Sequence, residues 1–163
     1  MEIGKTISNT PEGLVGKTVN VSAVELTNDI NKYYVKLRFK IDSVNGDKAF
    51  TKFYGSECLH DYVSRMVLHR IRRIDSIQDL TTSDKVNIRV KGLTIVSKRV
   101  KSSIAVKIRE FVSALMKKEI ENSTLEEFLQ KMLSNEIKSK IIREGRTIYP
   151  IRNFEVRKTE IIR

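Results

Sequence analysis

From Lys17 onward, hydrophobic and polar positions alternate with a period of two, the spacing at which successive side chains of a strand face opposite ways. Val19, Val21 and Ala23 share a face, and Val24 and Leu26 then take it over, which predicts a strand with a bulge near Ala23. After a polar loop at 27–31, Tyr33, Val35, Leu37, Phe39 and Ile41 alternate with Tyr34, Lys36, Arg38 and Lys40. One face of that strand is therefore apolar and the other basic. Asn45-Gly46 predicts a type I′ hairpin turn, since both of its central positions need φ > 0, and the return strand is expected over 48–54.

The period then lengthens. Ser56 is placed to cap a helix carrying Leu59, Tyr62, Val63, Met66 and Val67 on one face, with His69, Arg70, Arg72 and Arg73 at its end. Two more strands are expected over 74–81 and 85–98 across a Thr82-Ser83-Asp84 turn, with the phase slipping at Gly92 as at a bulge. A second helix begins near Ser102 or Ser103, with Ile104, Ile108, Phe111, Val112, Leu115 and Met116 as its apolar stripe. Thr124-Leu125-Glu126-Glu127 is a capping-box pattern opening a third, and a fourth runs from Asn135 to a stop at Gly145. The first ~15 residues read as extended, with a turn at most at Thr10-Pro11-Glu12-Gly13, and 147–162 is extended around Tyr149-Pro150. Strands first, helices later and a strand returning at the end argue for an α+β fold. No linker or repeat divides the chain, so 1–163 is expected to be one domain: strand-rich over 17–100, helical over 102–145, a final strand over 147–162.

Composition narrows the partner. Among 163 residues, 31 Lys+Arg stand against 20 Asp+Glu, a formal charge of +11. Residues 1–31 carry 2 basic and 4 acidic side chains, residues 32–110 carry 18 and 8, and residues 111–163 carry 11 and 8. A solubilising charge would be spread along the chain. Concentration in the middle segment is the footprint expected of a polyanion-binding surface. Four groups carry it: Lys36, Arg38 and Lys40 on one strand face; Arg65, Arg70, Arg72 and Arg73; Arg89 with Lys91; and Lys98, Arg99 and Lys101. Arginine suits phosphate because its planar fork donates two hydrogen bonds at once. Tyr34, on the basic face of its strand, is the candidate for stacking on a base, whereas Tyr33, Phe39, Phe50 and Phe53 read as core.

Catalytic and metal chemistry find little support. Cys58 is the single cysteine, which removes a disulfide framework and any multi-cysteine metal site, and it reads as a small buried apolar group. His60 and His69 lack further ligands to complete a zinc site. Asp75 and Asp79 on one strand stand ~13 Å apart, too far for a two-metal centre, and read as ordinary strand carboxylates. Neither GxxxxGK[ST] nor GxGxxG occurs, so no nucleotide-hydrolysing machinery is visible. No apolar run is long enough to span a bilayer and no signal peptide opens the chain, so a cytoplasmic location is expected, with no membrane partner and no small-molecule substrate.

Residues 35–57 (VKLRFKIDSVNGDKAFTKFYGSE), 72–82 (RRIDSIQDLTT), 86–103 (VNIRVKGLTIVSKRVKSS) and 143–158 (REGRTIYPIRNFEVRK) together resemble one family. It is the archaeal and eukaryotic small-subunit ribosomal protein family called S-three-Ae, or eukaryotic-type S-one, distinct from the bacterial S-one protein of repeated OB folds. Ile3, Gly4 and Thr6, with Leu14-Val15-Gly16-Lys17, match the opening of its domain, so the likeness covers the whole chain in order. The resemblance implies a structural rRNA-binding protein of the ribosome, on the small-subunit platform near the mRNA exit, with neighbouring platform proteins as partners and mRNA as a further contact. It also implies no catalysis and no cofactor, and a largely antiparallel, β-barrel-like sheet, here of about seven strands, flanked by three or four helices. Basic residues that match its motifs are Arg72, Arg73, Lys98 and Arg99 and, near the end, Arg152, Arg157 and Lys158. Family members carry a basic extension ahead of the Ile-Gly-x-Thr stretch. Here only Met1 and Glu2 precede it, as in a trimmed chain or a short member, and the lack of a long eukaryotic tail favours an archaeal source. A stand-alone RNA-binding regulator or assembly factor, or less readily an RNA-processing enzyme, would share the same basic faces.

Overall fold

The strand that opens at Val35 runs eleven residues, and its backbone groups set the length of what pairs with it. A computed structural model of the chain describes residues 2–7, 12–98 and 100–162 and divides at Leu59/His60 into two units. In the first unit, β1 (Thr18–Ser22), β2 (Val35–Asn45) and β3 (Lys48–Cys58) form an antiparallel ladder with β2 in the middle. Val21 opposite Leu37, Phe39 opposite Phe53, and Ile41 lie on one face, with Val21, Leu37 and Ile41 buried. The Phe39 and Phe53 rings meet edge to face at 6.1 Å. Lys36, Arg38 and Lys40 occupy the other face, as the alternation predicts.

Three features of this unit differ from expectation. The bulge expected near Ala23 is a helix, α1 (Ala23–Thr27): the Thr27 hydroxyl donates to the Ala23 carbonyl at 2.8 Å, and left-handed Asn28 closes the end. The return strand continues through Cys58 rather than stopping at Tyr54, because Val35, Lys36 and Leu37 require partners and find them in Cys58, Glu57 and Ser56. Ser56 is thus a strand residue and not a helix cap. The hairpin turn sits one position later than expected, on Gly46-Asp47, with Gly46 (φ +58°) as the one residue there in the left-handed region.

In the second unit, α2 (His60–Met66) leads to β4 (Arg72–Thr81), β5 (Asn87–Val96), α3 (Ser102–Glu121), α4 (Leu125–Leu133), α5 (Glu136–Gly145) and β6 (Ile151–Ile161). β5 is central, antiparallel to both β4 and β6. Ile108, Val112, Met116 and Ile120 of α3, Phe128 of α4 and Ile141 of α5 pack into one core with Ile74, Ile88, Val90, Val96 and Phe154. The capping box is present: Thr124 Oγ1 accepts from Glu127 N–H at 3.3 Å, while the Glu127 carboxylate accepts from Thr124 N–H at 3.1 Å. Asp84, in the β4–β5 turn, accepts from Leu125 N–H at 2.9 Å and ties that turn to α4. The pairing of β5 with β6 slips at Lys91/Gly92, where a bulge is expected, but the extra residue is Arg157 on β6, and β5 itself keeps unbroken register with β4.

The fold is thus a mixture of antiparallel strands and helices. Six strands are described where about seven were expected, and five α-helices where three or four were, α1 being the addition. Among the described residues no pairing joins β1 to β3 or β4 to β6, so neither ladder closes on itself as a barrel would. The expected turn at 10–13 falls partly outside the described residues; Glu12–Leu14 forms one 3-10 turn. No described helix is long and apolar enough to cross a membrane.

Candidate nucleic-acid interface

Register decides which of the candidate cations are already engaged. Strand partners Arg89 and Asp79 form a two-bonded ion pair at 2.7 and 2.8 Å, Arg73 holds Asp75 at 3.0 Å, and Arg38 pairs with Glu57. Lys91 and Lys158, opposite each other on β5 and β6, both reach Glu160. Hydrogen bonds from Arg89 and Lys158 are the main reason Asp79 and Glu160 sit below ordinary carboxylate pKa values. These sheet-face cations balance neighbouring carboxylates, and Asp75 and Asp79 are the strand carboxylates their spacing suggests.

Lys36 and Lys40 stay on the polar face of the first ladder, outside the described ion pairs, while most of the others converge at one end of the second ladder. Arg72 opens β4 opposite Val96, the last residue of β5, and Ile151 at the start of β6 lies beside the same Val96. That register brings the loop before β4, the loop after β5 and the start of β6 together. His69 and Arg70 from the first loop and Ser97 and Lys98 from the second line an open cleft of about 680 Å³. Ile71 N–H donates to the Leu68 carbonyl in a turn that holds Arg70 at φ +63°. The Arg72 guanidinium donates to the Val100 carbonyl and so braces the segment that carries Lys98 and Lys101. Asn153 Nδ2 approaches Met66 Sδ at 2.9 Å, which seats the end of α2, just past Arg65, against β6. Among the described residues, Arg70, Lys98, Lys101 and Arg152 are exposed and have no carboxylate within ion-pair distance. Arg65 is exposed too, with its Nε donating to the Asp61 carbonyl at 3.3 Å. Arg157 sits at the β6 side of the bulge, away from this end. Arg99 lies outside the described residues.

Aromatic placement reverses the sequence reading. Tyr34 is 6% exposed, so it cannot serve as the stacking residue, whereas Phe50 is 56% and Tyr33 47% exposed rather than core. β2 begins at Val35, so the two tyrosines precede the strand and its alternation does not govern them. Lys48 and Lys52 flank Phe50 at strand spacing, and this alternation, visible in the sequence, is the signal that would have found that surface. His69, weighed as a metal ligand and as a helix-end residue, lies beyond α2 and is part of the cleft lining. Cys58 is buried at the end of β3, while His60 begins α2 and its Nδ1 lies 3.3 Å from Ser64 Oγ.

The model of the Ribosomal S3Ae family matches residues 1–163. Small ribosomal subunit protein eS1 of Methanothrix thermoacetophila is 37% identical over 160 residues, covering 98% of this chain and 76% of the relative. The protein of the same name from Methanopyrus kandleri is 33% identical over 166 residues, covering 99% and 79%. That of Sulfolobus acidocaldarius is 32% identical over 162 residues, covering 99% and 82%. With the match spanning the full chain, and relatives above 30% identity covered over most of their length, the chain belongs to the ribosomal S3Ae family.

Proposed function

We propose that this chain is a structural constituent of the small ribosomal subunit that grips rRNA phosphates with the basic end of its second ladder. The observation that carries the reading is the convergence of Arg70, Arg72, Lys98, Lys101 and Arg152 on three adjoining segments, while Arg73, Arg89, Lys91 and Lys158 on the faces of the same ladder are held by carboxylates. Unengaged cations gain most from a phosphate, because no internal ion pair has to break first. Shape and charge, rather than reading of base edges, set position on folded RNA, whose deep major groove admits no side chain. The relatives' name supports placement in the cytoplasmic ribosome, and the family resemblance supports the platform near the mRNA exit, with neighbouring ribosomal proteins as partners and no catalytic step. The family match across both units supports treating them as one ribosomal protein domain.

The test is binding of the full chain to small-subunit rRNA across a salt series. Each neutralised phosphate adds about 0.9 to the slope of log affinity against log salt. Replacing Arg70 and Lys98 by alanine should lower that slope by about 2. An unchanged slope and affinity in R70A/K98A would place the contact elsewhere.

A further inference from the structure

We infer that the polar face of the first ladder is a stacking platform for single-stranded RNA, with Phe50 as its exposed ring. One exposed phenylalanine is common on protein surfaces; its setting is what matters here. Lys40 lies opposite Lys52 on β2 and β3, and its amine stands 5.7 Å from the Tyr54 ring centre, so Lys40, Lys52 and Tyr54 share a face. Phe39 and Phe53 occupy the opposite face with Ile41 and Thr51. Alternation from Thr51 then puts Phe50 and Lys48 beside Lys52, giving the stripe Lys48, Phe50, Lys52, Tyr54. Same-face neighbours on a strand lie ~7 Å apart, so a cation stands on either side of the Phe50 ring within reach of a backbone phosphate.

Charge selects the occupant. That face carries Lys36, Arg38, Lys40, Lys48 and Lys52 against Asp42, which pairs with Lys52 at 2.7 Å, and Glu57, which pairs with Arg38. The excess is cationic, and the facing positions of β1 (Thr18, Asn20 and Ser22) and of β2 (Ser43 and Asn45) are neutral and polar. An apolar protein partner would find one ring among charges. A single strand finds a π-face for a base and unspent cations for its phosphates. Duplex RNA keeps its bases stacked inside and gains nothing from the ring. The site lies on different strands from the phosphate-gripping end and borrows from that reading only the choice of RNA as polyanion.

The experiment measures anisotropy of fluorescein-labelled oligouridine of about 12 nucleotides, within the span a single-strand site covers. A duplex of equal length and an abasic ribose-phosphate strand are the comparison probes, each with the full chain. F50A and F50L should weaken oligouridine binding about fivefold or more, while F50Y stays within about twofold of the parent, because stacking needs an aromatic face and not merely an apolar one. Duplex and abasic binding should be indifferent to all three. Because Phe50 is exposed, these variants should melt with the parent. F50L binding oligouridine as the parent does, or a parent with no measurable oligouridine affinity, would overturn the inference. R70A/K98A separates the two sites: it should weaken the duplex while leaving the dependence of oligouridine binding on Phe50 intact.

Discussion

Gly92 sits where the pairing of β5 with β6 slips and where a side chain is crowded, so valine there sets strand propensity directly against packing. Its cross-strand partner is Ser76, and a Cβ built on Gly92 would come 2.7 Å from Ser76 Oγ and 3.1 and 3.3 Å from two atoms of the Phe154 ring. The serine can rotate away. Phe154 cannot, being 1% exposed within the core that joins helices and sheet. Valine in place of glycine would favour the strand by up to about 1 kcal/mol and would lower the entropy of the unfolded chain. Forcing a Cβ and two methyls against that ring costs about 1–3 kcal/mol, at the upper end because the buried ring cannot move aside. Packing should win by about 2 kcal/mol. For a chain of this size, that is a fall in Tm of about 4–8 °C by circular dichroism. G92A should lose less, and adding Ser76→Ala should recover part of that loss by removing the closest atom. A Tm for G92V equal to or above the parent's would refute the packing argument.

Other outcomes follow from particular contacts. Thr124→Ala removes the hydroxyl half of the α4 capping box and should destabilise by about 1 kcal/mol, read by urea titration. Glu119 of α3 accepts from Lys140 of α5 and lies 3.8 Å from Lys131 of α4; chiefly the Lys140 hydrogen bond, against the opposing effect of burial, holds it below its ordinary 4.5. A depressed carboxylate stabilises the fold at neutral pH and stops doing so as pH falls through its folded value. The stability gap between the parent and E119Q should therefore be widest near neutrality and close progressively below pH 4.5 in denaturant titrations across pH. Arg89 is held by Asp79, so R89Q should leave rRNA affinity within about twofold in the salt-series assay, as expected for an exposed cation whose partner is internal.

The strands were legible where burial of one face enforces alternation, as from Val35 to Ile41, and where a glycine breaks it, as at Gly92. The capping box at Thr124 was legible because it is local. The helix at Ala23–Thr27 was not, since five residues are too few to separate a period of two from 3.6. Ser56 misled because serine caps a helix as readily as it fills a strand, and only the length of β2 decides between them. Charge concentration pointed to a polyanion, but which cations are spent depends on register. Arg89 meets a carboxylate ten residues away across a hairpin, and Lys91 and Lys158 share one on β6. The convergence of Arg70, Lys98 and Arg152 likewise arises from strand order and not from any local pattern.

Sedimentation of the full chain with small ribosomal subunits gives the most direct test of the phosphate-gripping end. The parent and R89Q should both travel with the subunit at moderate salt and leave it at high salt, while R70E/K98E, equally well folded by circular dichroism, should stay behind at moderate salt. R70E/K98E travelling with the subunit as fully as the parent would contradict the assignment of that end as the rRNA anchor.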